Sequence, residues 1–305
     1  WGKWRALTID LDKGVDAERF DALLSHSIET RQSIQQSMLS SVVSQIHPNY
    51  DPKQNIPWVL SLGTRNRSNT SGRQVCVECL KSRENPPYLR LMWRIGWHCH
   101  CDRHRVCLID HCTECGATIQ PFKADLEHDC LAICTICGFD LRNFEGSKNI
   151  NLNALNFQNK ADQVLNQKVG FYNQSRVTSQ AWFEIARAWL SEIRFLVNTS
   201  NKNVIQLFES FDVNLHLAYP ITPLAFEYLN KQERIVLLSI LDQIMEIPCD
   251  LLVERSLEYG ISHANFWDKR KKLPVQLQQM KDLMLKPTRR YPVSRAAITV
   301  TKPKS

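Results

Sequence analysis

Four short pairs of soft metal-binding side chains lie close together in the chain: Cys76-x-x-Cys79, Cys101-x-x-His104, Cys112-x-x-Cys115 and Cys134-x-x-Cys137. Two intervening residues let a tight turn aim both side chains at one ion, so each pair is half of a binding site. Twenty-one residues separate the first pair from the second, and eighteen separate the third from the fourth. Either stretch is long enough for a short hairpin that carries the later pair back to the earlier one, which is the geometry of a zinc ribbon used twice. A cross-braced arrangement, first pair with third, would use the same eight ligands. Thiolate and imidazole donors favour Zn²⁺ over a harder cation, and an iron–sulfur cluster would usually call for cysteine in place of His104. Four protein ligands per ion leave no position for a reacting water, so two structural Zn²⁺ are expected.

The remaining soft residues read differently. Ten of the eleven cysteines fall between Cys76 and Cys137, and only Cys249 stands apart. Disulfide scaffolds are not usually organised in such pairs, so a reducing compartment and metal binding are expected. Cys99, Cys107, Cys130 and Cys249 lack a partner at the two-residue spacing and are expected to be buried thiols. Cys99 is the competitor to Cys101, but only Cys101 stands at the right distance from His104. His98, His100, His111 and His128 are expected at the surface or as supports of the ligands. Pro87, Tyr88, Trp93, Arg94 and Trp97 interleave aromatics with basic residues; such a mixture can stack on nucleotides, and small metal modules also need large aromatics to complete their cores.

The elements that must position these groups come from periodicity. Phe20, Leu24 and Ile28, then Ile34, Met38, Val42 and Ile46, recur every four positions from Asp16 to Ile46, predicting one helix stopped by His47-Pro48. Residues 48–75 are rich in Pro, Asn, Ser and Gly and read as a linker. After Arg142 cysteines vanish until Cys249. Trp182, Ile185, Ala186, Trp189, Leu190, Ile193, Leu196 and Val197 predict a long helix with a broad apolar face. A further helix is predicted from Asn230, with Glu233 placed for a capping box, Ile235, Leu238, Leu241 and Met245 inward, and an end before Pro248. The expected fold class is mainly α with a central small zinc-binding β module, tandem zinc ribbons lying between helical regions. The expected divisions are residues 1–75 as an N-terminal helical region and linker, 76–142 as the metal module and 143–305 as a C-terminal helical domain.

Within that last domain, Pro248 can open a helix carrying Leu251, Leu252 and Leu257. Gly260 can close it, and Ser262 can cap a second helix through about Lys272. This spacing predicts a helix-turn-helix over 248–272, with an ordinary helical corner as the alternative. On the second helix Ser262, His263, Asn265, Lys269, Arg270, Lys271 and Lys272 become candidate nucleic-acid contacts, joined by Arg289 and Arg290 in the tail. The net charge is +7, and from Lys269 to Ser305 eleven Lys or Arg residues face the single acid Asp282. The tail is thus the electropositive feature, suited to nucleic acid or to an acidic protein surface.

Several function classes lack their residues. There is no Gly-rich phosphate loop, no G-x-S-x-G, no H-E-x-x-H and no carboxylate cluster of nuclease type, so the chain is expected not to be an enzyme. No apolar run approaches the roughly 18 residues that span a bilayer, and nothing resembles a signal peptide, so a cytoplasmic protein without membrane contact is expected. The chain begins at Trp1, and its natural amino terminus is expected to lie upstream.

The stretch VCVECLKSRENPPYLRLMWRIGWHCHCDRHRVCLIDHCTECGATI, followed by CTICGFDLR, resembles the zinc-binding core of the TniQ/TnsD family of transposon target-selection proteins. The shared pattern is C-x-x-C-L, a Pro-Tyr, W-R before C-x-x-H, then C-x-x-C-G and a final C-x-x-C-G-x-D-L-R. It covers about residues 75–142, and Phe266-Trp267 and Leu273-Pro274 in the second half are compatible. The family's usual Pro-rich opening segment does not precede Trp1. The resemblance implies an adaptor that recognises target DNA or an RNA-guided, Cascade-like complex. It also implies recruitment of a TnsC/TniB-like AAA+ ATPase regulator, with a homodimer compatible. A sequence-specific zinc-containing DNA-binding regulator is the alternative.

Overall fold

The structure, a computed structural model, describes residues 10–14, 17–51, 54–62, 72–82, 87–121, 130–218 and 223–287. The amino-terminal stripe is not one helix. It forms α1 (Ala17–Ser25), α2 (Arg31–Gln36) and α3 (Ser40–Ile46). Polar side chains between them capture backbone groups that a continuous helix would need. Ser27 Oγ accepts the Glu29 N–H, Thr30 caps α2 by accepting the Ser33 N–H, and the Leu39 N–H turns away to Asp12 O. Ile28, expected inside, is fully exposed, whereas Phe20, Met38, Val43 and Ile46 are buried.

The metal module holds a one-turn helix, α4 (Val77–Leu80), that starts at Cys76. Among its described residues pairing is confined to isolated antiparallel bridges, Val59 with Ile95, Val75 with Ile109, His100 with Cys107, His111 with Thr118 and Ile133 with Asp140. The β part of the expected ribbons is therefore limited to single bridges.

The carboxyl half follows the apolar periodicity closely. Asn151 caps α5 (Leu152–Gln167), and a two-residue turn at Asn173-Gln174, both at positive φ, joins β1 (Val169–Tyr172) to β2 (Ser175–Thr178). Helix α6 (Ser179–Thr199) buries Trp182, Ile185, Ala186, Trp189, Leu190, Ile193 and Leu196, as its sequence predicts. Helix α7 (Lys202–Glu209) is short. Helix α8 (Lys231–Glu246) carries the capping box, with Asn230 accepting the Glu233 N–H and Glu233 accepting the Asn230 N–H. Helices α5, α6 and α8 pack together around one large core that also takes in Leu39, Trp58, Ile95, Trp97 and Cys99. Packing thus crosses residues 75 and 142.

Beyond α9 (Cys249–Glu258) the helix-turn-helix is not shown. Gly260 closes α9 at φ +63°, but α10 spans only His263–Phe266 and Ser262 makes no capping hydrogen bond through its side chain. Burial decides this. Phe266 and Trp267 are completely buried, and each such apolar side chain contributes about 1.5–3 kcal/mol, more than another exposed turn of helix would. Trp267 Nε1 reaches Met284 Sδ of the following segment, which contains α11 (Val275–Leu283), and the Asp268 N–H donates to the buried Glu192 carboxylate. No helix among the described residues is long and apolar enough to cross a membrane.

Candidate metal centres

Three of the four half-sites fold by one rule. The N–H of Cys101, Cys112 and Cys134 donates to the carbonyl five residues on (Val106, Ala117, Phe139), and the carbonyl of each of these cysteines accepts the N–H four residues on (Arg105, Gly116, Gly138). Closing that loop forces the fourth residue into the left-handed region, at φ +49° for Arg105, +70° for Gly116 and +72° for Gly138. Glycine tolerates this conformation, which explains the C-x-x-C-G pattern; Arg105 is held there against its Cβ. The first half-site is built differently: Cys76 caps α4, and its Sγ accepts the Cys79 N–H at 3.4 Å.

The eight residues gather into two clusters, Cys76, Cys79, Cys101 and His104, and Cys112, Cys115, Cys134 and Cys137. Pairing is therefore sequential, first half-site with second and third with fourth. In each cluster the donor atoms all lie within 4.8 Å of one another. A tetrahedral ion with bonds of about 2.3 Å to sulfur and about 2.05 Å to nitrogen sets edges of about 3.8 Å between sulfurs and about 3.6 Å from sulfur to nitrogen. The clusters show Sγ–Sγ separations of 3.7 Å (Cys79–Cys101), 3.8 Å (Cys112–Cys137) and 3.7 Å (Cys115–Cys134). His104 Nδ1 lies 3.6, 3.3 and 3.6 Å from Cys76, Cys79 and Cys101. These edges fit one mononuclear ion per cluster, while every cysteine remains free of disulfide.

The surroundings draw one thiol of each cluster toward thiolate, whereas burial raises Cys79 and Cys112. Cys101 is drawn down to about 5, chiefly by the hydrogen bond with Cys76, and that bond together with burial pushes Cys76 up. Burial raises Cys134, but the N–H groups of Cys137 and Ile136 outweigh it and bring the thiol to about 7. Both clusters could hold a metal ion, and with four protein donors each is a closed set.

The other soft residues lie elsewhere. Cys99 is fully buried in the large core beside Arg234 Nη1, away from the clusters, so it does not compete with Cys101. Cys107 Sγ meets Asn149 O, and Cys249 Sγ meets the Tyr172 hydroxyl. His98 Nε2 lies 2.9 Å from Asp162, His111 Nδ1 lies 2.9 Å from Asp110, and His100 is buried rather than at the surface. His128 falls outside the described residues. Trp93, Arg94 and Trp97 are buried, while Tyr88 is exposed, with the Arg90 guanidinium 6.0 Å from its ring.

Periodicity and spacing do not point to the residues that fix the segment carrying Cys101. Gln158 on α5 accepts the N–H groups of Cys99 and His100 and donates to His100 O. Arg234 on α8 donates to Gly96 O at 2.6 Å and to Gln74 Oε1 at 2.8 Å, while Gln74 Nε2 holds Trp93 O and His98 O. Lys231 Nζ holds Leu108 O at 2.6 Å. A lone Gln or Arg in a helix gives no local sign of such a partner.

The expected nucleic-acid contacts do not share a recognition helix. Lys269, Arg270, Lys271 and Lys272 are exposed on the turn after Trp267, with Arg270 bound to Asp268 at 2.9 Å. Asn265 is exposed on α10, Ser262 and His263 are half-buried against the Leu285 backbone, and Arg289 and Arg290 fall outside the described residues.

The fold and its clusters define a mainly helical protein with two compact cysteine-rich sites suited to metal. Residues 5–108 match the family model TniQ, so this stretch of the chain is similar to that family. The matched span contains the first cluster and the helices before it; the second cluster lies beyond it. No curated protein and no solved structure matches the chain.

Proposed function

We propose that this chain is a non-catalytic target-selection adaptor of DNA transposition, which recognises target DNA or an RNA-guided target complex and brings in an AAA+ ATPase regulator. The TniQ match over residues 5–108 carries the reading. Supporting it, both candidate metal sites are closed sets whose ligands Cys76, Cys79, Cys101, His104, Cys112, Cys115, Cys134 and Cys137 would hold Zn²⁺ structurally. Bound zinc supplies folding free energy to a module with too small a core of its own, on the order of 10 kcal/mol per ion. The chain's chemistry is then recognition and assembly. The test is a reconstituted transposition reaction with a transposase and an AAA+ ATPase from the same source. Omitting the chain is expected to abolish targeted insertion, and the purified chain is expected to co-elute with the ATPase. Unchanged targeting without the chain would overturn the reading.

A further inference from the structure

Between α3, α6 and the segment leading into α11 lies an open cavity of about 740 Å³. Sites that take a drug-sized ligand or a few side chains occupy roughly 300–1,000 Å³. Beneath its accessible wall the cavity is backed by buried aromatic rings. Trp58 and Phe183 are each 1% exposed, and Trp58 sits at φ +70°, fixed there by its N–H donating to the Glu227 carboxylate at 2.7 Å. Ile46 and Pro57 continue the wall on one side and Leu273 and Pro274 on the other. Val275, 68% exposed, extends the apolar surface onto the first turn of α11.

The charges around this trough are unequal in kind. Lys271 and Lys272 line the mouth and are exposed, and Lys269 precedes them on the same turn. Arg187 is engaged by Glu227 at 2.7 Å, and Glu184 hydrogen-bonds Gln180 at 2.8 Å. Glu192, the remaining acid of the lining, accepts the Asp268 N–H, and burial raises it to about 8, so it is mostly neutral near pH 7. The accessible wall is thus mainly apolar, and the exposed charges are Lys271 and Lys272 at the mouth with Glu184 on α6.

We propose that this cavity docks a peptide segment of a partner protein, one that lays a large apolar side chain between Pro57, Leu273, Pro274 and Val275 and sets flanking Asp or Glu residues against Lys269, Lys271 and Lys272. Nucleic acid is the lesser fit for these lysines, because they stand on a turn beside an apolar trough and not along a helix that could enter a groove. The docking stands on the cavity and its rim, so it holds or fails separately from the transposition reading.

The test uses the full chain loaded with zinc and a fluorescein-labelled peptide carrying one Phe flanked by Asp and Glu, followed by fluorescence anisotropy. Saturable binding is expected, with affinity reduced about tenfold or more by Phe→Ala in the peptide, by Ser191→Trp, which fills the trough, and by Lys271→Glu with Lys272→Glu. Should Ser191→Trp not fold, Val275→Asp on the exposed rim takes its place. Absence of saturable binding overturns the proposal. So does binding that neither the trough variant nor the peptide's Phe→Ala change weakens, or displacement of the peptide by duplex DNA with the trough variant unaltered, which would assign the lysines to nucleic acid.

Discussion

The two metal clusters have similar donor spacings and different surroundings. Cys101 belongs to an extended segment clamped on both sides. The preceding residues Trp97 and Cys99 enter the large helical core, while Gln158 and Arg234 hold the segment's backbone from α5 and α8. The second cluster has no such clamp among the described residues. Its buried members Cys112 and Cys134 pack with Ile119, Ala132 and Leu141 in a smaller core shared with the first cluster, and Ile136, between two ligands, is 64% exposed. Loss of metal should therefore have different reach at the two sites, because only the first transmits disorder into the helical core.

The largest effect follows from ligand removal. Cys101→Ser should abolish binding at the first site, a loss on the order of 10 kcal/mol of binding free energy, and destabilise the helices packed on residues 95–101. Cys134→Ser should empty the second site, yet hydrogen exchange should find α5, α6 and α8 still protected. Equal loss of protection in the two variants would break the contrast.

Arg234→Met sharpens the same contrast from the helical side. It removes two buried charge-assisted hydrogen bonds to Gly96 and Gln74 without touching a ligand. A cost of about 2–4 kcal/mol is expected in denaturant unfolding, with metal retained at the second site.

Glu192 makes the helical core sensitive to pH where the clusters are not its cause. The ordinary glutamate value of 4.5 rises to about 8, chiefly through burial and also through the Asp268 charge, with the Asp268 N–H, Lys281 and Lys271 opposing. Between those values the folded chain keeps a proton that the unfolded chain releases, so stability falls as pH rises from about 4.5 to about 8 and then levels off. Glu192→Gln should flatten that fall and leave the variant more stable than the native chain near pH 8.5 by an amount on the order of a few kcal/mol. Melting curves across pH check this.

The smallest expected effect is a gain. Arg105 occupies the left-handed position that glycine fills at 116 and 138. Arg105→Gly should stabilise the first cluster by about 0.5–1 kcal/mol, read as tighter zinc retention against a chelator.

What was legible in the sequence was local. The eight ligands announce themselves because two-residue spacing is a property of one turn, and the capping box at Asn230 and Glu233 lies within four residues. The helix divisions at Ser27 and Thr30 were missed because an apolar recurrence every four residues continues across them, while short side chains take the backbone hydrogen bonds. The second helix after Gly260 was overextended because the burial of Phe266 and Trp267 against α6 and Met284 is invisible locally. The clamps formed by Gln158 and Arg234 join residues 58 to 160 positions apart, and no periodicity reports that.

The most direct test of the account is a metal count on the full-length chain by native mass spectrometry, paired with absorption spectra after Co²⁺ replacement. Two ions per chain are expected, with strong thiolate-to-cobalt bands and the ligand-field pattern of four-coordinate tetrahedral sites. Fewer than two ions, or a spectrum of five- or six-coordinate cobalt with bound water, would contradict two closed structural centres.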